Sequence, residues 1–209
     1  MGDAPSKYDQ PLQPQPQPLW VTEPRFCAPN EVTLHLREKI FTMSGDDFKI
    51  KDPNTGVVWF QCQGTVFSLR DKKTLSDVYG TPILNIKETL LNFGVPDYKI
   101  YRGADSNELL LKLVARVTFM KAKANATIIN GQTGQQIPIS VKGNLNTHEC
   151  CVYIGEAKQG GVPIAKIYRP FTGREFMFGT HDYYATIAPN VDTAFIVALC
   201  ICLDEMKKD

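Results

Sequence analysis

The chain has 209 residues, of which 43% are hydrophobic and 22% are charged, a balance that excludes a disordered or membrane-embedded protein and favours one globular domain with a large core. Its formal net charge is +1, so no overall field attracts nucleic acid or an anionic membrane, and any basic surface has to be local. The six cysteines lack the spacing of a zinc site, and no secretory signal opens the chain, so we expect reduced thiols and a cytoplasmic protein, with the nucleus as a further compartment.

The chain begins with a Gln/Pro-rich segment whose prolines nearly alternate with other residues, at Pro11, Pro14, Pro16 and Pro18. Such a run favours extended polyproline II and buries no apolar surface. We therefore predict a disordered tail over residues 1–21, followed by a folded domain over residues 22–209. The tail contains a P-x-x-P pattern, which makes it one candidate site for protein partners.

From Val32 onward, short β segments alternate with turn residues. The clearest hairpin joins residues 48–51 to residues 57–62 through a turn over 52–56, whose Pro, Asn and Gly suit a tight reversal. Further strands are predicted over residues 66–70, 82–87, 98–101, 109–114, 121–129, 137–142, 151–154, 164–168, 176–178 and 183–187. Ten or more strands therefore precede a single helix.

Three short patterns occur twice, in the same order. They are Thr-Gly at 55–56 and 133–134, GTPILNI at 80–86 and GVPIAKI at 161–167, and Phe-Gly followed by Asp-Tyr at 93–98 and 178–183. Their offsets are 78, 81 and 85 residues, the small drift expected of a duplicated unit with loop changes. The pattern predicts two tandem β repeats.

The C-terminal segment contains ten uninterrupted apolar residues, 194–203. Asn190 or Asp192 can cap the first turn and lysines follow the run, which predicts a helix over 190–208. A helix that is apolar all round has to be enclosed, and ten residues cover only about 15 Å of a ~30 Å hydrocarbon core. We therefore expect a core helix, with insertion of the tail into a membrane as the alternative.

These predictions combine into one architecture. An antiparallel sheet of ten to twelve strands has to close to remove its edges, and a barrel of that circumference leaves a space that wall side chains alone do not fill. The apolar helix fits that space. The expected fold is mainly β, a closed antiparallel barrel of about twelve strands in two repeats, which encloses the C-terminal helix.

Several motifs resemble those of the plant LURP-one-related family. They are PRFCAP at 24–29, DFKIKD at 47–52, LRDKK at 69–73, GTPI at 80–83, VYIGE at 152–156 and PNVDTAFI at 189–196. The resemblance covers about residues 22–208 and implies a twelve-stranded barrel around a central helix, the fold of Tubby carboxy-terminal domains and phospholipid scramblases. It also implies a role in plant defence without a settled biochemical activity, since fold kinship alone does not establish function.

Tubby-like domains bind phosphoinositide head groups through clustered basic residues, because anionic phosphates need fixed cations. The candidates for such a site in this chain are Lys121, Lys123, Lys142, Lys166 and Arg169. The alternative is that barrel strands simply turn charged residues toward water. Scramblase-like calcium binding would rest on Asp182 and Asp192 alone, too few oxygens for calcium.

No catalytic motif is present, and His148 and His181 have no recognised context. We therefore expect a monomeric, non-enzymatic binding or regulatory protein without metal or cofactor, tethered to phosphoinositide membranes or acting on transcription. The alternatives are a protein-interaction scaffold that works through the tail or the loops, and a scramblase-like lipid protein.

Overall fold

The computed structural model describes residues 10–37, 48–64, 72–90, 96–118, 121–144, 149–168 and 182–206. Its strands are β1 (Val32–Arg37), β2 (Phe48–Lys51), β3 (Val58–Gly64), β4 (Lys72–Ser76), β5 (Pro82–Leu90), β6 (Pro96–Arg102), β7 (Leu109–Thr118), β8 (Lys121–Ile129), β9 (Gln136–Asn144), β10 (Glu149–Ile154), β11 (Val162–Tyr168) and β12 (Asp182–Ile187). The helix α1 is Thr193–Glu205, and 3-10 turns lie at Pro24–Phe26 and Ala157–Gln159.

The twelve strands form a closed barrel in which each strand pairs antiparallel with its neighbour in sequence. Closure occurs where β1 pairs with β12 over six residues on one side and with β2 on the other. The predicted closed antiparallel barrel is confirmed. The predicted strands include neither β1 nor β4, whose two lysines obscured its alternation, and the strands predicted at 66–70 and 176–178 lie outside the described residues.

The helix α1 lies inside the barrel, and all of its residues are buried. Its N-cap is Asp192, whose Oδ1 accepts a hydrogen bond from the Phe195 amide at 3.0 Å. The helix begins later than predicted because Asn190 has a φ of 61° and Val191 bridges to Leu19 instead of continuing a helical turn. No helix in the part of the chain that the structure describes is long and apolar enough to cross a membrane.

The two predicted repeats correspond to β1–β6 and β7–β12. The turn after β2 is closed by a bond from the Gly56 amide to the Asp52 carbonyl, and the turn after β8 by the same bond from Gly134 to Asn130. The φ angles of Gly56 and Gly134 are 72° and 71°. A residue with a side chain adopts such a positive φ only at a cost in free energy. The offset of 78 residues therefore relates two turns with the same hydrogen bond and backbone geometry, and α1 follows only the second repeat.

The prediction of a disordered tail through residue 21 is wrong for the described residues 10–21. The amides of Gln13 and Gln15 donate to the carbonyls of Pro163 and Pro189, and the Leu19 amide donates to Asn190. Leu19 and Val21 are buried, with 3% and 4% exposure. We call residues 10–27 the N-terminal strap, because they cross the barrel end at which α1 begins. The prolines concealed this docking, since the strap has no hydrophobic period.

Candidate functional site

A cleft of about 800 Å³ lies on the outer wall of β7, β8 and β9. Side-chain alternation in β8 creates its floor: Ala124, Ala126 and Ile128 face the core, whereas Lys123, Asn125 and Thr127 are exposed. The polar side chains that line the cleft are Lys112, Lys123, Asn125, Thr127, Ser140, Lys142, Glu156 and Lys158. Four ammonium groups therefore surround one cleft that contains a single carboxylate among the described lining residues.

Two of the lysines predicted to bind anions meet directly in this cleft. Lys123 and Lys142 are Cα partners in the ladder between β8 and β9. Like charges at directly opposed positions of a sheet destabilise it by some tenths of a kcal/mol, up to about 1 kcal/mol. The cleft thus concentrates positive charge at the expense of fold stability, which suits a site for an anion.

The other predicted residues lie elsewhere or are not described. Lys166 lies on β11 and Lys142 on β9. The strand β10 separates them, and its Cys151 is the Cα partner of both lysines. Cys151 is fully buried, and burial raises the pKa of its thiol. Lys121 begins β8 opposite Asn144, and nothing is described of its side chain, while Arg169 lies outside the described residues.

Two lysines of the cleft, Lys112 and Lys158, were not among the predicted site residues. Strand alternation in β7 was a usable signal for Lys112, because Leu111 and Leu113 on either side are buried. Its Nζ lies 2.5 Å from Oδ2 of Asp97, a residue with 1% exposure, so the ion pair anchors Lys112 to the barrel wall. Lys158 had no such signal, since a loop positions it.

The loop that carries Lys158 is held rigidly against β9. The Ser140 hydroxyl donates to the Gly155 carbonyl at 2.6 Å and accepts from the Ala157 amide at 3.2 Å. The Gly155 amide also donates to the Pro138 carbonyl at 2.7 Å. One buried serine thereby fixes one wall of the cleft, and the position of Lys158 and Glu156 on its rim follows from that contact.

The chemistry available in the cleft is anion binding. Each lysine provides a compact charge with three donors, a good match for phosphate oxygens, and Asn125, Thr127 and Ser140 add neutral polar groups. Asp192, which the sequence analysis considered and rejected as a calcium ligand, directs its carboxylate at the amides of Val21, Thr22 and Phe195. Among the described residues, no group of His, Cys, Asp and Glu is arranged to hold a metal ion.

Comparison with known proteins gives a consistent result. Residues 32–204 match the family model described as LURP-one-related. Protein LURP-one-related 10 of Arabidopsis thaliana is 30% identical to this chain over 193 residues, which cover 90% of the chain and 97% of the relative. Protein LURP1 of the same plant is 28% identical over 195 residues and covers 92% of each sequence. An X-ray structure of an Arabidopsis thaliana protein superposes with a TM-score of 0.64 and 25% identity, and covers 90% of this chain and 99% of that one.

Proposed function

This chain belongs to the LURP-one-related family, and from that premise we propose that it is a non-enzymatic binding protein that takes the phosphorylated head group of an anionic phospholipid into its basic cleft. The observation that supports this proposal is the direct opposition of Lys123 and Lys142 on the cleft floor. A phosphate placed between the two ammonium groups turns their repulsion into attraction to a common anion.

The dimensions of the cleft suit a head group. Its volume of about 800 Å³ falls within the usual range for small-ligand sites, roughly 300–1,000 Å³. A phosphoinositide head group carries several phosphates, and the cleft offers Lys112, Lys123, Lys142 and Lys158 around its wall. Each lysine near an anionic membrane surface contributes about 1 kcal/mol, so together they support reversible rather than permanent attachment.

The proposed biological role is regulation in plant defence by a protein that a membrane holds peripherally and can release, for instance to act on transcription. This part of the proposal rests on the family resemblance and on no residue of the cleft. We propose that the protein binds lipid and does not catalyse a reaction. A lipid-translocation assay, with and without calcium, is expected to show no scramblase-like activity.

Co-sedimentation of the full chain with liposomes tests the head-group proposal. We expect binding to vesicles that contain phosphoinositides, weakened by added salt, and no binding to neutral vesicles. Lys123→Glu with Lys142→Glu is expected to abolish binding. The matched control is Lys49→Glu with Lys51→Glu, which makes the same charge change at exposed positions of β2, on the opposite side of the barrel.

Equal loss of binding in both double variants would show that only net charge matters and would contradict a specific cleft. Absence of binding to any vesicle would exclude the lipid proposal altogether. The folded state of each variant is checked by its thermal unfolding midpoint, since charge reversal at paired positions of a sheet can also alter stability.

A second candidate function is that of a protein-interaction scaffold, and one observation favours it. At the barrel end that the strap crosses, each of the five described hairpin connections has a large apolar side chain exposed at or beside it. These are Val57, Tyr79, Leu109, Ile129 and Val162, exposed by 57%, 88%, 51%, 55% and 37%. An apolar side chain exposed at each connection of one barrel end offers contacts to a protein partner.

Affinity purification from plant extract separates the two candidates. A partner that is retained by Lys123→Glu with Lys142→Glu, but lost when Tyr79 and Ile129 are replaced by serine, would favour the scaffold. The reverse result, together with vesicle binding, would favour the lipid-binding protein.

A further inference from the structure

Four consecutive strands of the barrel each place a lysine at the same level of the wall. In the ladders, Lys72 of β4 is the Cα partner of Lys87 of β5, Lys87 is the partner of Lys99 of β6, and Lys99 is the partner of Lys112 of β7. We call Lys72, Lys87, Lys99 and Lys112 the lysine row. It runs across the strands and reaches the basic cleft at Lys112.

The lysine row lies on the outer surface. Its sequence neighbours Lys73, Ile86, Ile100 and Leu111 are buried on the inner face, so the row residues point outward by alternation. Among the described residues of these four strands, the outward carboxylate is Asp97, which has 1% exposure and pairs with Lys112. Asp97 therefore neutralises Lys112, and the positive charge of the row is centred on Lys87 and Lys99.

This arrangement works against stability. Three successive pairs of like charges stand directly opposite one another, and each such pair is destabilising. Two of the contacts that hold these side chains are a hydrogen bond from Lys72 Nζ to the Ala104 carbonyl at 2.6 Å and the position of Lys87 Nζ 5.7 Å from the centre of the Tyr101 ring. A local arrangement that opposes stability is a common property of binding sites.

The shape of the row limits what it can bind. In a ring of twelve strands each step turns by about 30°, so the four lysines span about 90° of a convex surface. A flexible chain can follow this arc and contact all four positions along its length. Adjacent strands are about 4.8 Å apart, so the row offers closely spaced positive charges to a chain of closely spaced negative ones.

The row also lacks the groups that bind nucleic-acid bases. Proteins that bind single-stranded nucleic acid combine a basic track with aromatic side chains on which the bases stack. Among the described residues of β4 to β7, the outward aromatic side chain is Tyr101, and Lys87 already lies over its ring. The row therefore offers charge without a stacking surface.

We propose that the lysine row binds a flexible linear polyanion without bases, a chain of inorganic polyphosphate, wrapped across β4 to β7. The bound phosphates offset the repulsion between the opposed lysines. This proposal is independent of head-group binding in the cleft, because its central residues, Lys87 and Lys99, do not line the cleft.

The test measures the affinity of the full chain for inorganic polyphosphate over a series of salt concentrations. Lys87→Gln with Lys99→Gln is expected to weaken binding on the order of tenfold and to reduce the slope of log affinity against log salt, because two phosphate contacts are lost. Thermal unfolding of this variant in the absence of ligand is expected at the same or a higher temperature, since a like-charge pair has been removed.

Lys49→Gln with Lys51→Gln is the control, because it removes the same charge from β2, outside the row. It should bind polyphosphate as the unmodified chain does. Lys112 borders both surfaces and is left unchanged. Lys123→Glu with Lys142→Glu then reports on the cleft alone, so failure of one proposal can be distinguished from failure of the other.

Three results would overturn the proposal. The first is unchanged affinity in Lys87→Gln with Lys99→Gln, or an equal loss in the control. The second is equal or tighter binding of single-stranded DNA at the same phosphate concentration, which would assign the row to nucleic acid. The third is displacement of polyphosphate by anionic vesicles from the variant Lys123→Glu with Lys142→Glu, whose cleft no longer binds them, which would assign the row to a membrane surface.

Discussion

The turns after β2 and after β8 are copies of one unit, 78 residues apart, and they differ where the strap touches one of them. In the first turn, Asp52 accepts bonds from the amides of Asn54 and Thr55 at 2.7 and 3.0 Å. In the second, Asn130 accepts a bond from the Gln132 amide at 2.9 Å. The backbone geometry is shared, but the environment is not.

Of these two turns, the strap covers only the turn after β8. The Gly131 amide donates to the Trp20 carbonyl at 2.9 Å, and a Cβ on Gly131 would overlap the Trp20 ring. The equivalent residue of the first turn is Pro53, which is exposed. Asn130 has 7% exposure, and a neutral amide there avoids the cost of burying a charge. Duplication thus preserved the local fold, and tertiary contact determined which residue types each copy tolerates.

The largest effect is expected at Asp192, which joins the strap to the helix of the second repeat. Its Oδ2 accepts from the amides of Val21 and Thr22 and from the Thr22 hydroxyl, while its Oδ1 caps α1. Burial raises the pKa of Asp192, and the hydrogen bonds from Thr22, Phe195 and Val21 oppose that rise. Asp192→Ala leaves four buried donors without an acceptor and is expected to lower the free energy of unfolding by about 3–5 kcal/mol.

Urea unfolding measures this loss. Asp52→Ala in the first repeat is the comparison, because the donors that it releases are exposed to water and the loss should be about 1 kcal/mol or less. Equal losses at the two positions would contradict the view that the strap makes the repeats unequal. Asp192→Asn, which keeps one acceptor oxygen, is expected to fall between them.

A smaller effect is expected where the strap meets the second turn. Gly131→Ala forces the Trp20 ring away and is expected to cost about 1–3 kcal/mol, the usual penalty for an inserted methyl in a tight contact. In a Trp59→Phe background, the tryptophan fluorescence that reports unfolding comes from Trp20 alone. Gly131→Ala should shift this emission toward that of a water-exposed indole. Pro53→Ala in the first repeat should leave the emission unchanged.

The smallest effect concerns pH. The turn after β4 is held by Asp77, whose Oδ1 accepts from the amides of Tyr79 and Thr81 at 3.0 and 2.9 Å. Desolvation raises the pKa of Asp77, but the bonds from Thr81, Tyr79 and Arg25 outweigh it and hold this pKa below its ordinary value. Because the pKa of Asp77 is lower in the folded state, its carboxylate contributes fully to the free energy of unfolding above the unfolded-state pKa of about 3.9. This contribution is lost as the pH falls through the folded-state pKa.

Asp77→Asn is therefore expected to be less stable than the unmodified chain near pH 6, by under about 1 kcal/mol, with the difference vanishing as the pH falls toward about 2. The corresponding turn of the second repeat relies on the hydroxyl of Ser140, which does not titrate. Ser140→Ala should cost the same at both pH values, as measured by urea unfolding. A pH-independent difference for Asp77→Asn would show that its charge does not contribute.

Much of the architecture was predictable because it rests on local patterns. Strand alternation, the repeated turn and the apolar run of α1 each depend on residues close in sequence. The docking of the N-terminal strap was not predictable. The docking of the strap depends on carbonyls of Pro163 and Pro189, more than a hundred residues away, and no periodicity announces it.

The candidate site was likewise predictable only in part. The sequence pointed to Lys123 and Lys142, because charged residues alternate with apolar ones in their strands. It could not show that these two residues are partners, because the register between strands is set by the whole closed ring. The lysine row was missed for that reason, since no two of its members are neighbours in sequence.

The sequence by itself determined the duplication, the closed barrel and the enclosed helix, because period, turn chemistry and an apolar run act over short distances. Only the tertiary structure decided which charges meet. Five strands lie between β2 and β8, and together they place these two strands half a circumference apart; the register of each ladder decides whether two lysines lie opposite each other. Burial by the strap likewise assigned different roles to Asp52 and Asn130, because solvation depends on what lies above a turn and not on its own residues.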